Sequence, residues 1–267
     1  GNLTRLISKN AGFDSFIFAH IDRVHLPIAK FLPSQSPQIF DLQTLSDANA
    51  KNFYPLLFKQ IQALDKIIYD VIQTLKYESI YENTLIILTG DHGIAVPPKW
   101  KKNLDFPLYE EHIRVPYIIK WPEWCKQSEI NNIVDTPHNA TVDIFMKVLK
   151  SLDIELPEYF NNSSQLNEKY NGYAFTETIF HPHNYYAVSI VSDNIKYWMR
   201  CKMDWDNLTM QKVSNEKLFF RESNGYINEN NDEINSSRKE RDYFNEIGIE
   251  FLKDNLSFYK ERNNILH

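Results

Sequence analysis

The chain has 267 residues, 43% of them hydrophobic and 24% charged, a balance that suits a globular protein with a sizeable core. A net charge of −6, with no Lys/Arg block longer than three residues, argues against a nucleic-acid-binding protein, which would carry a basic stripe. No apolar run approaches the roughly 18–20 residues of a membrane helix, and the opening GNLTRLISKNAGF has no apolar leader core.

Gly1 in place of methionine is expected to mark a trimmed start. Cys125 and Cys201 lie far apart and outside any metal-ligand spacing. They read as two buried thiols of a reducing compartment, slightly favouring the cytoplasm, rather than as a disulfide.

In chain order, residues 13–19 (FDSFIFA) are apolar and bounded by Gly12, the pattern of a buried strand in an α/β sheet. Pro27 to Pro37 reads as a proline-rich loop. From about 52 to 76, Leu56, Leu57, Ile61, Leu64, Ile67, Ile68, Val71, Ile72 and Leu75 recur at helical spacing. Residues 84–89 (TLIILT) form a buried strand that runs into Gly90-Asp91-His92-Gly93, and after a charged loop residues 115–120 (VPYIIK) form another. Residues 137–151 suit a second amphipathic helix.

The order β, α, β, loop, β, α predicts an α/β core with a largely parallel sheet flanked by helices. After about Pro157 the character changes. Segments 173–178, 185–191 and 195–203 are short, aromatic and β-branched, as in a small antiparallel sheet. Residues 222–242 are polar and asparagine-rich, the composition of a mobile surface loop, and Phe244, Ile247, Phe251 and Leu252 suit a C-terminal helix. The expected organisation is therefore an α/β core over 1–157 and a β subdomain with a helix over 158–267.

The sharpest chemical signal is Asp91-His92 at the carboxyl end of an apolar strand, where open α/β sheets place their ligands. A carboxylate beside a neutral imidazole suits a divalent cation of intermediate hardness. The structural alternative is an aspartate capping a turn, with an exposed histidine next to it.

Several stretches resemble the sulfatase family of the alkaline-phosphatase superfamily. The run Glu82 to Gly93 (ENTLIILTGDHG) is similar to the sulfatase strand ending in "SDHG", and Tyr109 to Pro116 (YEEHIRVP) to its "YEGGIRVP". Trp121-Pro122 follows as the family's "WP" does. Phe16 to His20 with His25-Leu26-Pro27 resembles the strand ending in "HTHxP", and Val142 to Phe145 the helix "VDLF". Tyr173 to Glu177 and Ile195-Lys196-Tyr197 are similar to strands late in the family.

The resemblance implies a metal-dependent hydrolase of sulfate esters, acting on a small molecule or carbohydrate. It makes Asp91 and His92 metal ligands for a divalent cation (calcium, magnesium or manganese before zinc) that this chain alone need not retain. His25 becomes a proton donor near the leaving oxygen, with His20 on the same rim. Arg114 becomes an anion contact or a structural tie.

The departures are equally specific. No strand with paired acidic ligands and no Cys- or Ser-x-Pro-x-Arg nucleophile segment occurs, so the isolated chain is expected to be inactive. Where many sulfatases carry a lysine four residues before the "YE" tyrosine, this chain has Asp105; Lys102, with Lys99 and Lys101, or His112 would have to supply the positive charge. Phosphoester or phosphonate hydrolysis and phosphoglycerol-type transfer remain open, the Asp-His pair tilting toward phosphorus chemistry, as does a non-catalytic binding or scaffolding role. A sheet edge without a neighbour predicts a homodimer.

Overall fold

The structure, a computed structural model, describes residues 1–22, 24–25, 28–32, 35–40, 46, 50–96, 108–125, 148–149, 152, 154–155, 168–170, 172–180, 184–230 and 232–265. The chain divides into two compact units, residues 1–105 with 115–126, and residues 106–114 with 127–267.

The first unit opens with a helix that the sequence reading did not include. In α1 (Asn2–Asn10) the Gly1 ammonium donates to the Thr4 hydroxyl at 2.9 Å, and that hydroxyl donates to the Gly1 carbonyl at 2.7 Å, closing the first turn. The strand expected over 13–19 does not form: residues 14–22 enter no helix or ladder, and Phe13, Phe16 and Phe18 are 75%, 78% and 81% exposed. A strand needs a neighbour for its backbone N–H and C=O groups, and no described strand pairs with this one.

The expected proline loop is instead an antiparallel pair, β1 (Ile28–Leu32) with β2 (Gln35–Phe40). Its register slips between Lys30 and Leu32, opposite the stretch that holds Pro37. Proline donates no N–H, and such an irregularity is where a ladder tolerates one.

Helix α2 (Ala50–Tyr77) matches the periodicity and buries Phe53, with Leu56, Leu57, Ile94 and Val96 around it, and Leu75. It ends at Ser79, φ 58°, where the Ile80 and Tyr81 N–H groups reach back to the Leu75 carbonyl at 3.0 and 3.1 Å. β3 (Ile86–Thr89) then pairs antiparallel with β4 (Tyr117–Lys120), from Ile86 opposite Lys120 to Thr89 opposite Tyr117. The Lys120 ammonium donates to the Tyr81 and Thr84 carbonyls and lies 4.4 Å from the Tyr81 ring centroid, tying the entry of β3 to the end of β4.

Every described strand pair is antiparallel, so the parallel pairing expected of the core is not among the described residues. Of the helix expected over 137–151, only Val148 and Leu149 are described, and they are helical.

In the second unit, the four-residue helix α3 (Glu110–Ile113) precedes a sheet of β5 (Ala174–Phe180), β6 (Tyr185–Val191), β7 (Ile195–Asp204) and β8 (Thr209–Phe220), paired in that order. The first three strands follow their aromatic, β-branched pattern. β8 was not read from the sequence because Gln211, Lys212, Ser214 and Asn215 interrupt it.

Side chains alternate across a strand, and both faces are covered. Tyr186, Val188, Ile190, Tyr197, Met199 and Cys201 meet Phe244, Phe251, Leu252 and Leu256 of α4 (Arg238–Ile265) on one face. On the other, Ala187, Trp198 and Phe219 meet Leu108 and Ile227. Double-sided burial explains why these strands read as near-continuous apolar runs.

The described residues within 222–242 are structured rather than a free loop. Arg221 bridges Ile227, the Glu233 N–H donates to the Leu218 carbonyl at 2.8 Å, and the Leu218 N–H donates to Asp232 Oδ1 at 3.1 Å. The asparagines there build local turns: Asn224 and Asn228 accept from the N–H two residues on, at 2.9 and 3.2 Å.

Candidate functional site

β3 ends at Thr89, and the chain turns at Gly90 against Val115, just ahead of β4. A Cβ on Gly90 would stand 3.3 Å from Val115 Cγ1 and 3.4 Å from Val115 Cβ, tighter than most side-chain contacts. Glycine therefore permits the close approach that delivers Asp91 and His92 at the strand end.

The pair is exposed, its side chains 68% and 59% accessible. The His92 N–H donates to Asp91 Oδ1 at 2.9 Å, and this bond holds the Asp91 carboxyl below the ordinary carboxylate range, with the nearby His92 and His20 rings acting in the same direction. Asp91 is thus an anion at neutral pH. His92 Nδ1 lies 2.9 Å from the Gly93 carbonyl oxygen. A carbonyl can only accept, so this bond assigns the proton to Nδ1 and leaves the Nε2 lone pair free to bind a cation, the orientation that metal-ligating histidines adopt. Nε2 stands 3.9 Å from Asp91 Oδ2.

His25 comes to the same place from 67 positions away: its ring centroid is 6.2 Å from that of His92, the planes at 74°. His20 is within electrostatic reach of Asp91. Four of the residues singled out from the sequence, His20, His25, Asp91 and His92, therefore converge in the first unit.

The donor types suit a divalent cation of intermediate hardness, and the ionised carboxylate and oriented imidazole fit it. Among the described residues, no group of three or more His, Cys, Asp or Glu is arranged to hold a metal.

The other candidates lie elsewhere. His112 and Arg114 belong to the second unit. His112 is buried in α3, its ring 6.5 Å from that of Tyr109, and the Arg114 guanidinium stacks 4.8 Å from the Tyr226 ring centroid. Lys102 lies outside the described residues. Glu177 sits within β5, where it accepts from the Tyr186 hydroxyl and from Asn255 Nδ2.

Sequence reasoning missed a buried ion cluster, Lys196 with Glu110 and Glu229. Its signal was there: a lysine inside the otherwise apolar run IKYWM requires carboxylate partners.

The "Inner membrane protein YejM" of Salmonella typhimurium is 28% identical over 120 residues, 45% of this chain and 20% of that protein, and the YejM of Salmonella typhi matches equally. The chain thus spans a fifth of the length of these curated relatives. The crystal structure of the yidJ protein of Bacteroides fragilis, a sulfatase by assignment, superposes with a TM-score of 0.54 at 20% identity, covering 79% of this chain and 45% of that one, a likeness of fold. The profile of the family described as Sulfatase matches residues 2–154, more than half of the chain and the whole of the stretch that carries His20, His25, Asp91 and His92. On that match, the chain belongs to the sulfatase family.

Proposed function

We propose that this chain is the portion of a metal-dependent sulfatase-type hydrolase that supplies part of the cation site, through Asp91 and His92, and a proton donor, His25. The observation that carries the reading is the meeting of the His25 and His92 rings at 6.2 Å beside an aspartate held in its ionised form.

A bound divalent cation would polarise a nonbridging oxygen of the ester. Asp91 contributes a fixed negative charge to such an ion, and His92 contributes Nε2, with Nδ1 held on the Gly93 carbonyl. His25, on the adjoining segment, is placed to protonate the leaving oxygen as the bond to sulfur breaks, so that the product departs as an alcohol rather than an alkoxide. The 267 residues contain no Cys- or Ser-x-Pro-x-Arg segment, so this chain by itself is expected to turn over neither sulfate nor phosphate esters. Phosphoester or phosphonate chemistry is the second reading, favoured by the imidazole of His92 as a ligand.

The test is calorimetric titration of manganese and of calcium into this chain and into an Asp91→Asn/His92→Ala variant. Binding by the parent that the variant loses supports the reading. Equal binding by both, or no binding either by the parent or by a longer protein that contains this chain, removes its basis. A longer protein that contains this chain, assayed on aryl sulfates, aryl phosphates and aryl phosphonates, separates the two ester classes.

A further inference from the structure

One face of the C-terminal sheet carries a row of polar side chains that the fold leaves incompletely satisfied. The ladder registers set Thr176, Ser189, Trp198 and Lys217 directly opposite one another on β5, β6, β7 and β8, and residues opposite in a ladder share a face. Ser189 is 0% exposed and Trp198 1%. Among the described residues, neither the Ser189 hydroxyl nor the Trp198 Nε1–H has a hydrogen-bond partner. An unpaired buried donor weakens a fold, and native proteins keep few of them. Two side by side on adjacent strands call for a common partner.

Lys217 adds charge to the row. It is half-buried, its Nζ donates to the Tyr109 hydroxyl at 3.1 Å, and it lies 5.4 Å from the Trp198 ring centroid and 5.5 Å from that of Tyr109. The two rings and the hydroxyl hold the ammonium in place without neutralising it, and an ammonium has three donors to place. The next row gives the contrast: Lys196 meets the carboxylates of Glu229 and Glu110, whereas no carboxylate pairs with Lys217 among the described residues.

The complement of a hydroxyl, an indole N–H and an ammonium is an anion. The indole N–H can only donate, so the atom that meets it must accept. The three donors come from different strands, about 4.7–4.9 Å apart. A tetrahedral oxyanion, with oxygens in several directions, meets them better than a flat carboxylate with two.

We propose that Ser189, Trp198 and Lys217 form a binding site for a tetrahedral oxyanion, sulfate or phosphate, either free or as the ester group of a larger molecule. Ser189 and Trp198 donate to its oxygens, and Lys217, which reaches solvent, supplies the opposite charge. The site lies within the second unit and does not depend on reading Asp91 and His92 as cation ligands.

The test follows the indole N–H resonances of the nitrogen-15-labelled chain while sodium sulfate or sodium phosphate replaces sodium chloride at constant ionic strength. The Trp198 resonance is identified by its loss in Trp198→Phe. The expected result is a saturable shift of that resonance, with an affinity weaker by about tenfold or more in Lys217→Gln and in Ser189→Ala, as for the loss of a hydrogen bond to a charged group. Ser189→Ala should also melt, without sulfate or phosphate, no lower than the parent, because the hydroxyl it removes has no partner in the fold. Methyl sulfate and methyl phosphate separate the two sources: binding equal to that of the free ions supports an ester group as the ligand, and weaker binding supports the free ion.

A Trp198 resonance that does not respond to sulfate or phosphate overturns the proposal, as do variants that bind as tightly as the parent. A lower Tm for Ser189→Ala also overturns it, since the hydroxyl then serves the fold and not a ligand.

Discussion

Glu177 provides the sharpest quantitative test of the second unit. In β5, opposite Val188, its carboxylate accepts from the Tyr186 hydroxyl and, at 2.9 Å, from Asn255 Nδ2, so one half-buried acid joins two strands and α4. Burial pushes its pKa up from 4.5 to about 7, with the Asn255 bond opposing the rise. The folded protein therefore keeps a proton that the unfolded chain has released. Since the native state binds more protons between these values, stability is full below about 4.5, falls as pH rises to about 7 and levels off above.

Each pH unit in that gap is worth about 1.4 kcal/mol, so the whole loss is roughly 3 kcal/mol. Glu177→Gln preserves an acceptor for both bonds and does not titrate. Urea denaturation of the parent and of this variant at pH 5 and pH 8 should show the parent losing roughly 3 kcal/mol relative to the variant. The carboxylates held low in the fold, Asp91, Asp204 and Glu216, lose their contribution below that window and are common to both proteins. A stability difference that is the same at both pH values would refute the reasoning. It would mean that Glu177 is ionised in the fold and that its hydrogen bonds outweigh its burial.

Lys196→Ala should destabilise the second unit by about 3–5 kcal/mol in denaturant, because it removes one partner of a buried ion pair with Glu229. Gly248→Ala places a Cβ 2.9 Å from Met199 Cε and 3.4 Å from Ile190 Cδ1; about 1 kcal/mol of helix propensity is set against about 1–3 kcal/mol of overpacking, so a modest fall in Tm is expected. Phe16→Ser with Phe18→Ser should leave Tm nearly unchanged, within about 0.5 kcal/mol, since both rings are exposed; a loss of about 3–5 kcal/mol would mean that the segment is buried. Asp91→Asn/His92→Ala should melt like the parent in chelator but lose the stabilisation that manganese gives it, about 2.7 kcal/mol at a hundred times Kd.

What the sequence disclosed, and what it did not, follows from how local the determining forces are. The α2 helix and the strands β5, β6 and β7 were legible because periodicity within one segment reports a face that some neighbour covers, whichever neighbour that is. The segment 13–19 shows the limit of that logic: FDSFIFA has the composition of a strand, but a ladder is a property of two segments, and Phe13, Phe16 and Phe18 stand exposed. The direction of β3 against β4 was likewise outside the pattern, since TLIILT and VPYIIK read alike in parallel and antiparallel pairs.

The candidate site was legible for a different reason. Asp91 and His92 are neighbours in sequence, and the resemblance around TGDHG and HLP named His25 before any geometry brought its ring to 6.2 Å from His92. The Lys196 cluster shows the converse. Its three members are separated by 86 and 33 positions, and nothing near Glu110 or Glu229 marks them as partners. Only the lysine is locally anomalous, and an anomaly of that kind says that a carboxylate must be found without saying where. A polar residue that breaks an apolar strand is therefore as informative as the motif that ends one. Here the motif led to Asp91 and His92, and the anomaly led to Glu110 and Glu229.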